Sequence, residues 1–94
     1  TGNDGLNVKE MLENGAVVID VRSRGEFQGG HVAGSKNIPL QEIESKLDEI
    51  KKMNKAIVLC CASGARSGQA TRFLKSKDVV CINGGGWTRV QRQF

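Results

Sequence analysis

Three stretches of the chain are almost wholly apolar: Ala16-Val17-Val18-Ile19-Asp20-Val21, Ala56-Ile57-Val58-Leu59-Cys60-Cys61 and Val79-Val80-Cys81-Ile82. They are rich in β-branched residues and do not alternate with polar ones, the pattern of a strand buried on both faces. Lys36-Asn37-Ile38, just before Pro39, predicts one more short strand. Between the apolar runs the period changes. Leu40, Ile43, Leu47 and Ile50 recur at three- and four-residue spacing and give one helical face, supported by the i,i+4 pairs Glu42 with Lys46 and Asp48 with Lys52. Ala70, Phe73 and Leu74 supply the face of a later helix over about residues 67–76. Asn7 to Glu10 predicts a helix start with Asn7 as N-cap, a Leu6–Met11 hydrophobic staple, and Gly15 as the C-terminal cap. Ser23-Arg24-Gly25-Glu26 is a second capping-box pattern, and Gly84-Gly85-Gly86 reads as a turn.

Strands alternating with helices predict an α/β fold of three layers, a central parallel sheet flanked by helices on both faces. No internal repeat or linker is visible, so residues 1–94 read as one domain. A chain of this length buries roughly 60–65% of its unfolded surface, enough for one modest core. In open α/β sheets ligands sit beyond the carboxyl ends of the strands. Function is therefore expected after Val21, Cys61 and Ile82.

Charge sharpens that expectation. The net charge is +4 and uneven: residues 1–47 hold five Lys/Arg against seven Asp/Glu, and residues 48–94 nine against three. A basic second half favours a small anionic substrate, although a solvated basic face reads equally well. Only four residues are aromatic and the basic ones are scattered, which argues against a nucleic-acid partner. No apolar run approaches the ~20 residues of a membrane helix. The three cysteines, Cys60, Cys61 and Cys81, are an odd number without CxxC spacing, and the lone His31 has no ligand spacing to them. Neither a disulfide framework nor a metal site is expected. A cytoplasmic location is expected, with the periplasm left open because the chain starts at Thr1 rather than Met.

The segment that carries chemistry follows the central strand: Cys61-Ala62-Ser63-Gly64-Ala65-Arg66-Ser67. Its residues are small, so backbone N–H groups can converge on one centre. A helix N-terminus adds to such a nest, and the two together bind anions. A cysteine placed there gains thiolate character, and Arg66 offers paired donors to an oxyanion. Cys61 is expected to be exposed and ionised near neutral pH.

At these residues the chain resembles the rhodanese family. Ile19-Asp20-Val21-Arg22, Glu26-Phe27, Gly30-His31-Val32, Gly34-Ser35 and Asn37-Ile38-Pro39 follow the family's first signature. Cys61, Ser63-Gly64 and Arg66-Ser67 follow its active-loop signature, and Gly84-Gly85 with Trp87 its closing one. Lys77-Asp78 stands where the family usually has Gly. The resemblance implies a rhodanese-like sulfurtransferase. Cys61 would take sulfane sulfur from thiosulfate or a related donor, release sulfite, and pass the sulfur to cyanide or a thiol. It implies no cofactor and a substrate cradle of Ala62, Ser63, Gly64, Ala65, Arg66 and Ser67. Its partners would be a small anionic donor, a thiol or cyanide acceptor and, as a further acceptor, a protein. The domain is expected to be a monomer.

Two other readings stay open. Five residues intervene between Cys60 and Arg66, the spacing of cysteine-dependent phosphatases and arsenate reductases, whereas four intervene between Cys61 and Arg66, the rhodanese spacing. Rhodanese-like domains also occur as inactive binding modules, typically without the cysteine. Cys81 is expected to pack in the core, with a resolving thiol as the alternative. Asp20, Arg22 and His31 are expected to be structural, with Arg22 lining the site as its alternative. Glu26 reads as a cap, Trp87 as packing at the site rim, and Arg89 and Arg92 as solvated.

Overall fold

The computed structural model describes the backbone of residues 4–94 and the side chains of residues 8–94. Four strands, β1 (Val17–Asp20), β2 (Lys36–Asn37), β3 (Ile57–Cys61) and β4 (Cys81–Gly86), form one sheet in the order β2-β1-β3-β4, every pair parallel. The helices are α1 (Asp4–Glu13), α2 (Arg24–Gln28), α3 (Leu47–Lys52), α4 (Ala65–Ser76) and α5 (Trp87–Gln91). A 3-10 turn at Leu40–Glu42 precedes α3.

Strand alternation divides the core in two. Ile19, Val21, Ile57, Leu59 and Cys61 face one side, where they meet Ile43 and Ile50 with Ala70 and Leu74 of α4. Val18, Val58 and Cys60 face the other, with Val8 of α1 and Val90 of α5. Helices thus cover both faces, as expected from the unbroken apolar runs. Ile19, Ile57 and Leu59 are fully buried, each contributing about 1.5–3 kcal/mol of hydrophobic stabilisation.

The element ends depart from the sequence expectations in three places. Helix α1 begins at Asp4, so Asn7 lies within it rather than capping it. The Leu6–Met11 staple lies outside the described residues. Gly15 does end this helix: its φ is +91°, and the Ala16 N–H donates to the Met11 carbonyl across five residues. At the end of α4 it is Asp78 that adopts the left-handed conformation, φ +65°, while the Val79 N–H reaches back to the Leu74 carbonyl. Asp tolerates this where most side chains do not. Second, the single helix expected over residues 40–50 is split. The Ser45 hydroxyl donates to the Glu42 carbonyl at 2.9 Å, a local bond that competes with the helical ladder, and α3 starts only at Leu47.

Third, Gly84-Gly85-Gly86 is strand, not turn. Leu59 pairs with Asn83 but Cys60 with Gly85, so Gly84 is an extra residue bulged out of register. A Cβ at Gly84 would lie 2.7 Å from Val90 and 2.9 Å from Val58. Only glycine lets β4 approach β3 and α5 this closely. The bulge also re-aims the carboxyl end of β4 at the loop after Cys61, where a Cβ on Gly86 would meet the Ala62 carbonyl at 2.9 Å.

No described helix is long and apolar enough to cross a membrane.

Candidate active site

The central strand β3 ends on Cys61, residues 62–64 turn, and α4 starts at Ala65. Gly64 makes the turn possible. Its φ is +107°, a conformation that favours glycine, and a Cβ there would lie 3.3 Å from the Gly85 Cα. So turned, the Gly64 N–H donates to Cys61 Sγ at 3.0 Å. The Ser67 N–H donates at 3.4 Å, and the Ser67 hydroxyl oxygen lies 3.4 Å from the same sulfur. Burial pushes the Cys61 thiol up. The Ser67 hydroxyl and the amides of Ser67, Gly64 and Ser63 outweigh it, leaving the pKa below its ordinary value. The direction of this shift is the one expected, but the expected exposure is corrected: Cys61 is 1% exposed, because its own loop folds back over the sulfur.

The paired donors that Arg66 was expected to offer an oxyanion are engaged by a carboxylate of the chain itself. Arg66 makes a two-pronged ion pair with Glu26, Nη1 to Oε1 at 2.8 Å and Nη2 to Oε2 at 3.0 Å. The cause is α2, whose capping box holds Glu26 against Ser23 at the edge of the loop. Glu26 is thus both the expected cap and a partner 40 residues distant in sequence. The Arg66 guanidinium and then the Ser23 backbone N–H hold its carboxyl down at about 2.

The structure brings Ser63, Gly64 and Ser67 to the Cys61 sulfur, with Ala62 and Ala65 in the same turn and helix start and Arg66 held by Glu26. Asn83 of β4 completes the arrangement and was not read from the sequence. Its Oδ1 accepts the Ser67 hydroxyl at 2.6 Å and the Gly85 N–H at 3.0 Å, while its Nδ2 donates to the Gly64 carbonyl at 3.0 Å. An asparagine before a glycine run has no sequence signal beyond turn formation.

Cys60 points to the opposite face, fully buried, its thiol pushed up to about 12 by burial and then by the charge of Asp20. The loop amides converge on Cys61 and not on Cys60. Cys81 pairs with Ile57, at the other end of the strands from Cys61, and its pKa is raised by burial. It packs in the core, too distant to act as a resolving thiol. Asp20 and Arg22 form a buried ion pair at 2.8 Å. Arg22 also donates to the Gly30 carbonyl at 2.6 Å and lies over the Trp87 ring, 5.0 Å from its centroid. Trp87 is thus a platform for Arg22. His31 stacks on Phe27 and lies 2.8 Å through Nδ1 from the Phe27 carbonyl, a local structural role. A cavity of about 460 Å³ lies at the amino-terminal end of the strands, lined in part by Ile50, Lys55, Asp78 and Val80, away from Cys61.

A parallel α/β sheet whose central strand ends in a thiol, cupped by a short loop and the first turn of a helix, defines a class of cysteine-loop domains. The chain belongs to one family of that class, the rhodanese-like domain, which matches residues 6–93. It is 37% identical over 73 residues to the protein YqhL of Bacillus subtilis (strain 168), covering 74% of this chain and 57% of that protein. It is 32% identical over 69 residues to the thiosulfate sulfurtransferase PspE of Escherichia coli (strain K12), covering 72% of this chain and 66% of that protein. The chain thus spans less than two thirds of either relative. Among solved structures, reduced Bacillus anthracis CoADR-RHD superposes with a TM-score of 0.78 at 32% identity, over 95% of this chain and 16% of that one.

Proposed function

We propose that this domain is a sulfurtransferase that carries sulfane sulfur as a persulfide on Cys61. The observation that carries this reading is the set of donors aimed at one sulfur, the Gly64 and Ser67 amides at 3.0 and 3.4 Å, at the start of a 12-residue helix. Amides and helix dipole stabilise an anion on Cys61, as thiolate and as persulfide alike. The thiolate attacks the outer sulfur of thiosulfate. A new S–S bond forms, the old one breaks, and sulfite leaves with the electron pair. Cyanide or a thiolate then attacks the outer sulfur and restores the Cys61 thiolate, with no net redox change. Burial of Cys61 under its loop supports a small donor. The kinship with PspE supports thiosulfate as one such donor. A protein thiol is a further acceptor.

Intact mass after incubation with thiosulfate tests the proposal. A gain of one sulfur atom, reversed by cyanide, is expected. A chain that gains nothing from thiosulfate, polysulfide or a persulfide donor overturns it.

In this reading an anionic donor takes the place of Glu26 on Arg66. Arg66→Ala is expected to raise the thiosulfate KM about tenfold or more, the effect of a lost charge-assisted bond. The step from persulfide to thiol acceptor should stay within about twofold. Glu26→Gln, which releases Arg66, should lower the thiosulfate KM. Separate measurement of the two half-reactions checks this, and an equal loss in both would contradict a donor-holding role. The folded pKa of Glu26 is depressed to about 2, so the pair holds above that and breaks only as pH falls through it. The donor KM should therefore show no carboxylate step between about pH 4 and pH 8.

A further inference from the structure

The Ser67 hydroxyl has one proton and two claimants, Asn83 Oδ1 at 2.6 Å and Cys61 Sγ at 3.4 Å. The Asn83 amide is fixed in orientation. Turning it over would set its NH2 against the Gly85 N–H and its carbonyl against the Gly64 carbonyl, exchanging two good bonds for two repulsive contacts. Oδ1 is therefore a committed acceptor, and at 2.6 Å it takes the Ser67 proton while Cys61 is a neutral thiol. The Ser67 oxygen then presents lone pairs to the sulfur, which suit an S–H and not a thiolate. When Cys61 ionises, the charge draws the proton across, at the expense of the bond to Asn83.

We infer that Asn83 is a positioning residue that acts through Ser67, competing with the Cys61 thiolate for the Ser67 proton and so limiting the reactivity of the nucleophile. The inference rests on Cys61 as the nucleophile proposed above. Two ion pairs hold charged groups on the elements around the loop. Arg66 of α4 is paired with Glu26 of α2, and Asp20 of β1 with Arg22. Cys60 on β3 and Cys81 on β4 both have raised pKa values. Arg89 of α5 lies beyond Gly85, its Nη1 3.7 Å from where a Gly85 Cβ would be. None of these bonds the Ser67 hydroxyl.

The test is the pH dependence of Cys61 alkylation by iodoacetamide in the full chain with Cys60 and Cys81 replaced by alanine. Asn83→Ala should raise the rate below the midpoint about threefold, because the Ser67 proton becomes free for the sulfur. Asn83→Leu, which keeps the volume and removes the polar atoms, should do the same if the alanine variant melts early. In a Ser67→Ala background neither substitution should change the rate. A residue that only braces the loop through Gly64 would give slower alkylation in both backgrounds, and that result overturns the inference. So does an equal change with and without Ser67. Alkylation reads the thiol alone, so this outcome is independent of whether thiosulfate loads the protein.

Discussion

Cys61→Ser is expected to abolish sulfur loading and to lower turnover by at least about a thousandfold, as loss of a covalent nucleophile does elsewhere. A serine oxygen cannot hold a transferable sulfane sulfur, and no second thiol is placed to substitute. Cys60 is adjacent in sequence but lies on the other face of β3, beside Asp20 in the neighbouring strand, with its thiol pushed up to about 12. It has neither the loop amides nor the ionisation. Cys60→Ser should leave loading intact and turnover within about threefold. Its cost is in stability, about 1–3 kcal/mol for a hydroxyl set among Val8, Val58 and Val90. Intact mass and thiocyanate release on the two variants decide the register. Loading that survives Cys61→Ser and vanishes in Cys60→Ser would move the nucleophile to Cys60, and with it the phosphatase spacing.

Asp20→Ala should lower the unfolding free energy by about 3–5 kcal/mol, a large share of the about 5–15 kcal/mol that holds most domains folded. Asp20 is fully buried and Arg22 is 5% exposed. The carboxylate accepts from the Arg22 backbone N–H at 3.0 Å, from Nε at 3.0 Å and from Nη2 at 2.8 Å. Without it the guanidinium stays buried with only the Gly30 carbonyl and the Trp87 face for company. The penalty is that of an uncompensated buried charge, so removing both partners should hurt less. Asp20→Ala with Arg22→Met is expected to be more stable than Asp20→Ala alone. Urea denaturation of the two checks this, and a loss below about 1 kcal/mol in the single variant would show that solvent reaches the pair.

The strands were legible because burial on both faces leaves an unambiguous trace, as at Val17-Val18-Ile19 and Ile57-Val58-Leu59. From them followed the parallel sheet, and from the sheet the place of the loop. That Cys60 and Cys61 face opposite sides of the sheet was legible too, since neighbours on a strand alternate. What escaped the sequence were effects of tertiary contact. A glycine triplet has the same local propensity in a turn as in a bulged strand, and only the approach of Val58 and Val90 to Gly84 tells them apart. The Glu26–Arg66 pair joins residues far apart in the chain through the placement of α2, which no local spacing encodes. The hydrogen bond from Ser67 to Asn83 likewise joins α4 to β4 across a long stretch of chain. The exposure expected of Cys61 failed because the amides that lower its pKa reach it by covering it.

The two outer strands have a consequence for behaviour in concentrated solution. β2 is two residues long, with Pro39, which has no N–H to offer, two positions beyond its end, and β4 is kinked by the Gly84 bulge. Neither presents the long, flat row of unpaired amides on which a foreign strand could dock. Accretion of copies edge to edge is thereby blocked on both sides, and the folded domain should resist fibril-like aggregation even when crowded.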